Sequence, residues 1–395
     1  MTRIPRRCQA ALLLIAPSYE DALHSVRPRS NGAQHLGFLD GFKGLAAQLI
    51  VLHHLAFYGP MSDHVRPAAP LLIDWLDLYG RMAVQVFLVI GGFLAARSLC
   101  PDGIARPGAT PALTSLLARR YLKLAPPFIV AMLLASCASA LAGGWMSHYS
   151  ISAPTTLAQL AAHVLLVHDI LGYEAISAGV WYIAIDFQLY ALMAAAVWLC
   201  ARGGQGLAAL RRPWTVPLVI ALMAAASLVV FNRDTALDVW APYFFGSYGL
   251  GALAWWARVG AAGRRRLLLA AMLLSVLLAL VIDFRERIVL AAVLALLLAF
   301  WRSGGRASLV SPLLGWLGRA SYSVFLVHFP VCLLVNALFI RMMPGTAGWQ
   351  GLGMLVAWGA SLAAGAAFFR FVERPLGQWL SPARRVQADR VGVAA

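Results

Sequence analysis

The sequence predicts an all-α integral membrane protein of about ten transmembrane helices, with the N-terminus and the C-terminus both cytoplasmic. Three observations carry that prediction. Of 395 residues, 61% are hydrophobic and only 12% charged, against about half and about a quarter in an ordinary soluble chain. Such a chain would expose far too much apolar surface to water, so lipid is the solvent for much of it. The apolar residues fall in runs long enough, at about 1.5 Å per residue, to cross a bilayer core of about 30 Å. The cations sit in short clusters between those runs, as in RRYLK at 119–123, RRR at 264–266 and ARR at 383–385. Cytoplasmic loops of multi-pass proteins carry this bias.

Taken in order, residues 1–36 stand apart. Their basic start and short apolar run imitate a signal peptide, but the run is too short to span and Pro28, Arg29, Ser30 and Asn31 read as loop. A flexible cytoplasmic extension is expected there, followed by a membrane domain over 37–376 and a cytoplasmic tail over 377–395. The predicted spans are 39–58, 80–97, 124–143, 178–200, 214–231, 239–257, 267–283, 287–301, 319–340 and 350–371. With the N-terminus inside, the cytoplasmic loops hold Arg106, Arg119, Arg120, Lys123, Arg202, Arg211, Arg212, Arg258, Arg264–Arg266, Arg302 and Arg306. The outer loops hold few cations, among them Arg66, Arg233, Arg285 and Arg341. The loop 144–177 contains TTLAQLAAHVLLVHDI, a segment expected to lie along the outer interface or to dip partway into the membrane.

Composition also excludes some functions. The net charge of +16 is spread over loop clusters and leaves no soluble domain to present a basic face, so nucleic acid is not a partner. Cys8, Cys100, Cys137, Cys200 and Cys332 show no CxxC spacing, which supports neither a disulfide framework nor a zinc site. No metal is expected.

Ionisable groups inside spans are costly and read as functional candidates. In FLDGFKGLAAQLIVLHHLAFYG, Lys43 and His54 are eleven residues apart, three turns plus about 20°, so they share one helix face about 16 Å apart along the axis. His53 points about 100° away, a packing position. An HHxxxD motif would need an acid where this chain has Tyr58. The third span opens with LLARRYLKLAPPF, where Arg120 and Lys123 share a face at the cytoplasmic mouth. They read either as positive-inside charge or as a phosphate clamp, with Pro126 and Pro127 placed in the first turn. In GVWYIAIDFQLYAL, Asp186 shares a face with Tyr182 and Tyr190, and in lipid its carboxylate needs a partner, for which a histidine is the expected one. In GRASYSVFLVHFPV, His328 shares a face with Ser321 near mid-membrane and reads first as a core histidine.

Six segments, LDGFKGLAAQLIVLHH, VQVFLVIGGFLAARSL, RRYLKLAPPFIV, GVWYIAIDFQLYAL, GRASYSVFLVHFPV and FVERPL, follow in that order. Together, over about 38–376, they resemble the acyltransferase-3 family of integral-membrane acyltransferases, many of which O-acetylate bacterial surface or secreted glycans. Lys43 and His54 match the family's basic residue, ten residues, then His, with Lys for the usual Arg. Its RxxR falls on Arg120 and Lys123, its Ser-Gly on Gly91-Gly92, and its fourth-span acid, often Glu, on Asp186.

The resemblance implies a stand-alone O-acyltransferase of the bacterial inner membrane, with no soluble esterase-like domain following the last span. Acyl-CoA, acetyl-CoA by default, is the implied donor, held from the cytoplasm by Arg120, Lys123 and Lys43. A hydroxyl of a glycan or lipid-linked glycan, such as O-antigen or exopolysaccharide, is the implied acceptor. His54 would act as general base or as acyl-carrying nucleophile, with Asp186 orienting it. The alternative is a transporter or flippase with His54, Asp186 and His328 as a proton or substrate path. No inverted repeat supports that reading, and a sensor or assembly role leaves the buried charges without a task.

Overall fold

The computed structural model describes residues 30–204, 206, 212–301 and 312–380, and all regular structure among them is helical. Residues 1–29 of the expected extension, the tail beyond 380 with its ARR cluster, Arg211, Arg302 and Arg306 lie outside the described residues.

Every predicted span is a helix. In chain order they are α1 (Ser30–Phe57), α4 (Val84–Leu99), α5 (Leu113–Gly143), α7 (Trp181–Gly203), α8 (Thr215–Val229), α9 (Ala241–Val259), α10 (Ala262–Ile282), α11 (Glu286–Phe300), α13 (Ser321–Met342) and α14 (Ala347–Phe368). Shorter helices join them: α2 (Pro60–Val65), α3 (Pro70–Tyr79), α6 (Leu157–Val164), α12 (Pro312–Arg319) and α15 (Arg374–Trp379). Among the described residues, seven helical segments are long and apolar enough to cross a membrane. Among the other predicted spans, α11 has only 15 residues. α9 is rich in Gly, Tyr and Trp and sits inside the bundle.

Lipid as a second solvent shows in the packing. On α10, Leu268, Met272, Val276 and Ala279 form a buried stripe at helical spacing, while Leu274 is 70% and Val281 84% exposed. A helix that is apolar on its outer face as well as its inner one belongs in a membrane. The central helix is α9, which packs on α4, α7, α8, α10 and α11. Small residues let it do so: a Cβ at Gly92 would lie 1.8 Å from the Tyr248 carbonyl oxygen, and one at Gly251 1.9 Å from that of Val89. The α4 and α9 backbones approach through this reciprocal glycine contact, the means by which membrane helices associate without a hydrophobic drive.

The predicted alternation of loops is reproduced. At one end, Trp256 Nε1 donates to the Cys100 carbonyl (2.7 Å), and Arg264 Nη1 donates to that of Asp102 (2.9 Å) and to that of Pro213 (3.4 Å). These contacts bring together three loops assigned to the cytoplasm. At the other end, Tyr149 OH donates to the Phe57 carbonyl (2.7 Å), and Met61 N to Asn336 Oδ1 (3.1 Å).

Four boundaries differ from expectation. α1 starts at Ser30, inside the segment read as loop. The second span is lengthened by α3 and a 3₁₀ turn at Gly80–Ala83, which makes a continuous segment from Pro70 to Leu99. α5 begins at Leu113, so Pro126 and Pro127 lie inside the helix and not in its first turn. Their missing N–H groups free the carbonyls one turn earlier, a defect that a crowded membrane bundle tolerates. Finally, 144–177 turns back into the bundle. Thr155 Oγ1 meets Ser136 Oγ (2.8 Å), His163 stacks on Phe128 (6.5 Å), and Tyr121 OH donates to the Val164 carbonyl (2.8 Å). Those three α5 residues span about 22 Å of helix, so α6 descends antiparallel beside α5. A capping box starts it: Gln159 N donates to Thr156 Oγ1 and Thr156 N to Gln159 Oε1.

Candidate active site

Six elements surround the polar residues of the bundle: α1, α4, α5, α7, α9 and α13. Lys43 and His54 lie on the single uninterrupted helix α1, so the predicted separation of about 16 Å holds. Both face α13. His54 Nδ1 lies 2.6 Å from His328 Nε2, with the two rings parallel to within 6° and their centroids 4.9 Å apart. His54 is 7% exposed and His328 0%. The side chain of His328 folds back toward the N-terminus of its own helix, as helical side chains do, and its Nδ1–H donates to the Phe325 carbonyl at 2.7 Å.

Gly179, just ahead of α7, packs against His54. Its φ of +79° suits glycine, and a Cβ there would meet His54 Cε1 at 3.1 Å and the Phe325 ring at 3.3 Å. The end of the re-entrant segment therefore abuts the carbon between the two ring nitrogens of His54. His53 turns away, and its Nδ1–H donates to the Leu76 carbonyl at 3.0 Å.

Asp186 does not meet a histidine. Its Oδ2 accepts from Arg120 Nη2, and the guanidinium also lies over the Tyr190 ring, 5.1 Å from the centroid. This corrects the expected Asp186–His54 contact. The physical reason is charge: a carboxylate held in a low-dielectric bundle is stabilised far more by a permanently cationic guanidinium than by an imidazole that is neutral when buried. Asp186 is still linked to the histidines by packing, through Tyr182 one turn earlier. The Tyr182 ring lies 5.8 Å from Phe325, which lies 6.0 Å from His328.

The cations predicted to hold the donor gather below this layer. Lys123 is within Coulombic range of Arg120, Asp186, Lys43 and Glu373. Lys43 Nζ pairs with Asp40 at 2.6 Å. Glu373, on a π-helical turn after α14, accepts from Ser323 Oγ on α13. In the sequence, Glu373 within FVERPL carries no assigned role, and His328 reads first as a core histidine. The available signal was an ionisable residue in each of the last two motifs, at a depth matching that of Lys43 or His54.

Around the ion pair, Arg120 Nε and Tyr248 OH are buried without a hydrogen-bond partner among the described residues. Gly91 keeps the space beside them narrow: a Cβ there would stand 3.2 Å from Tyr248 and 3.7 Å from Asp186 Oδ1. Chemically, the site offers a buried imidazole backed by a second one, and a cationic cluster about three helical turns away toward the end that carries the basic loops.

Compared with known proteins, residues 36–369 match the family model of an acyltransferase domain, acyltransferase 3. No curated protein and no solved structure matches the chain.

Proposed function

The chain belongs to the acyltransferase-3 family and is a multi-pass membrane acyltransferase; we propose that it moves an acyl group, acetyl by default, from cytoplasmic acyl-CoA to a hydroxyl of a cell-surface or periplasmic glycan. The single observation that supports this reading best is the arrangement along α1. A buried imidazole, His54, stands about 16 Å along α1 from Lys43, which with Arg120 and Lys123 forms a cluster that suits a diphosphate. The cluster lies toward the end bearing the basic loops, where a cytoplasmic donor would enter. A phosphopantetheine arm is long enough to carry a thioester from there to the imidazole.

His54 takes the proton from the acceptor hydroxyl as the oxygen attacks the thioester carbonyl carbon. The carbon–sulfur bond breaks, the ester forms, and the proton leaves with the CoA thiolate as thiol. In the nucleophilic variant the imidazole carries the acyl group between two such steps. The Arg120–Asp186 pair fixes α5 against α7 and holds the guanidinium in place. Lys123, for which no ion pair is seen among the described residues, is the cation most available to a phosphate.

The test is purified protein reconstituted in vesicles with labelled acetyl-CoA. The expected result is donor hydrolysis or transfer to added glycan, lost in the Lys43→Ala/Lys123→Ala variant at low donor concentration. Absence of CoA binding, together with uptake of substrate into the vesicles, would instead establish the transporter.

A further inference from the structure

Proton accounting at the two histidines goes further than their proximity. His328 Nδ1 lies 2.7 Å from the Phe325 carbonyl oxygen and 3.2 Å from that of Val324. A carbonyl only accepts, so the His328 proton is on Nδ1 and its Nε2 presents a lone pair. Facing that lone pair at 2.6 Å is His54 Nδ1. Two lone pairs at that distance would repel, so the His54 proton is on Nδ1 and its Nε2 is bare. No hydrogen bond to that Nε2 is present among the described residues, and Gly179 puts no Cβ against the adjoining Cε1.

We infer that His328 is the positioning residue of this site: it locks His54 in the Nδ1–H tautomer and makes Nε2 the nitrogen that works on the substrate. This rests on the acyltransferase reading for its chemistry, though not for its geometry. His54 Nε2 accepts the hydroxyl proton, or forms the bond to the acyl carbon in the nucleophilic route. Throughout, Nδ1–H stays donated to His328, which shares the positive charge that develops on His54. The partner is a neutral imidazole and not the carboxylate of a Ser-His-Asp site. The charged pair is therefore less stabilised, and the proton passes on to the thiolate.

The test separates the two nitrogens of His328. In His328→Gln the amide oxygen can occupy the place of Nε2 and still accept from His54. In His328→Asn the amide reaches only the place of Nδ1, keeping the Phe325 carbonyl contact and losing His54. The expected result is that the Gln variant stays within about tenfold of wild-type turnover. The Asn variant should lose about a hundredfold in kcat, with little change in KM for the donor. Equal activity in the two variants overturns the proposal. The second readout is nitrogen-15 NMR of histidine-labelled wild-type protein in nanodiscs, with His54 assigned by difference from His54→Ala. A protonated Nδ1 and a bare Nε2 are expected, and the opposite tautomer overturns the inference. That spectrum needs no acyl donor and no altered residue at 328. It decides the tautomer even where a transfer assay fails or a variant does not fold.

Discussion

Two pairs of buried histidines adjoin in this bundle, and they are built differently. In the re-entrant segment the rings of His163 and His168 lie face to face, with centroids 3.9 Å apart. Both nitrogens of His163 are spent on backbone: Nδ1–H donates to the Gln159 carbonyl (2.8 Å), and Nε2 accepts from Ile176 N (3.2 Å). The His168 side chain makes no hydrogen bond among the described residues and has the Asp169 carboxylate 3.3 Å from its Nε2. In the other pair, His54 and His328 join edge to edge through a nitrogen–nitrogen contact, and one nitrogen is left over. The first pair pins a chain segment against α5. The second leaves a base with its lone pair free. Burial and a neighbouring imidazole are common to both pairs; the unspent nitrogen is what differs.

That contrast can be broken experimentally. The largest effect expected is from His54→Ala, which should lower acyl transfer by about a thousandfold or more while the protein still inserts. Normal transfer by a well-expressed variant would remove His54 from the chemistry. Next comes Gly179→Ala, which strains a positive φ and presses a Cβ toward His54 Cε1. Turnover should fall about tenfold, as small displacements near reacting atoms do, with a modest drop in stability. His163→Ala should show the reverse pattern. Leaving the Ile176 N–H unpaired costs about 1–3 kcal/mol, read as a lower midpoint of thermal unfolding in detergent, with kcat per folded molecule preserved. If His163→Ala instead lowers kcat as much as His54→Ala does, the two pairs are not functionally distinct. The smallest effect belongs to His168→Phe, which keeps the stack, removes two buried nitrogens that make no hydrogen bond, and gives up the Nε2 contact with Asp169. It should be neutral or slightly stabilising, by up to about 1 kcal/mol.

Much of the fold was legible in the sequence because membrane spans announce themselves by length and apolarity. Asp40, Lys43 and the two histidines did not obscure α1, since a run of apolar residues still surrounds them. Boundaries were less legible where polar or proline-rich sequence continues a helix beyond the lipid, as in Leu113–Lys123 of α5. The re-entrant path of α6 was legible only as one of two options. An amphipathic segment such as LAQLAAHV fits an interface as well as a groove, and only the line of contacts with Ser136, Phe128 and Tyr121 distinguishes them.

The opening motif, FLDGFKGLAAQLIVLHH, determined by itself that Lys43 and His54 share a helix face about three turns apart, because helical periodicity is local. It also fixed that His53 looks elsewhere. Pairing across helices was not decided there. Asp186 with Arg120, and His54 with His328, join residues 66 and 274 positions apart in the chain, and no local rule selects such partners. Packing does, through the glycines that let α4 meet α9 and through the demand that each buried polar group find a partner in a medium without water.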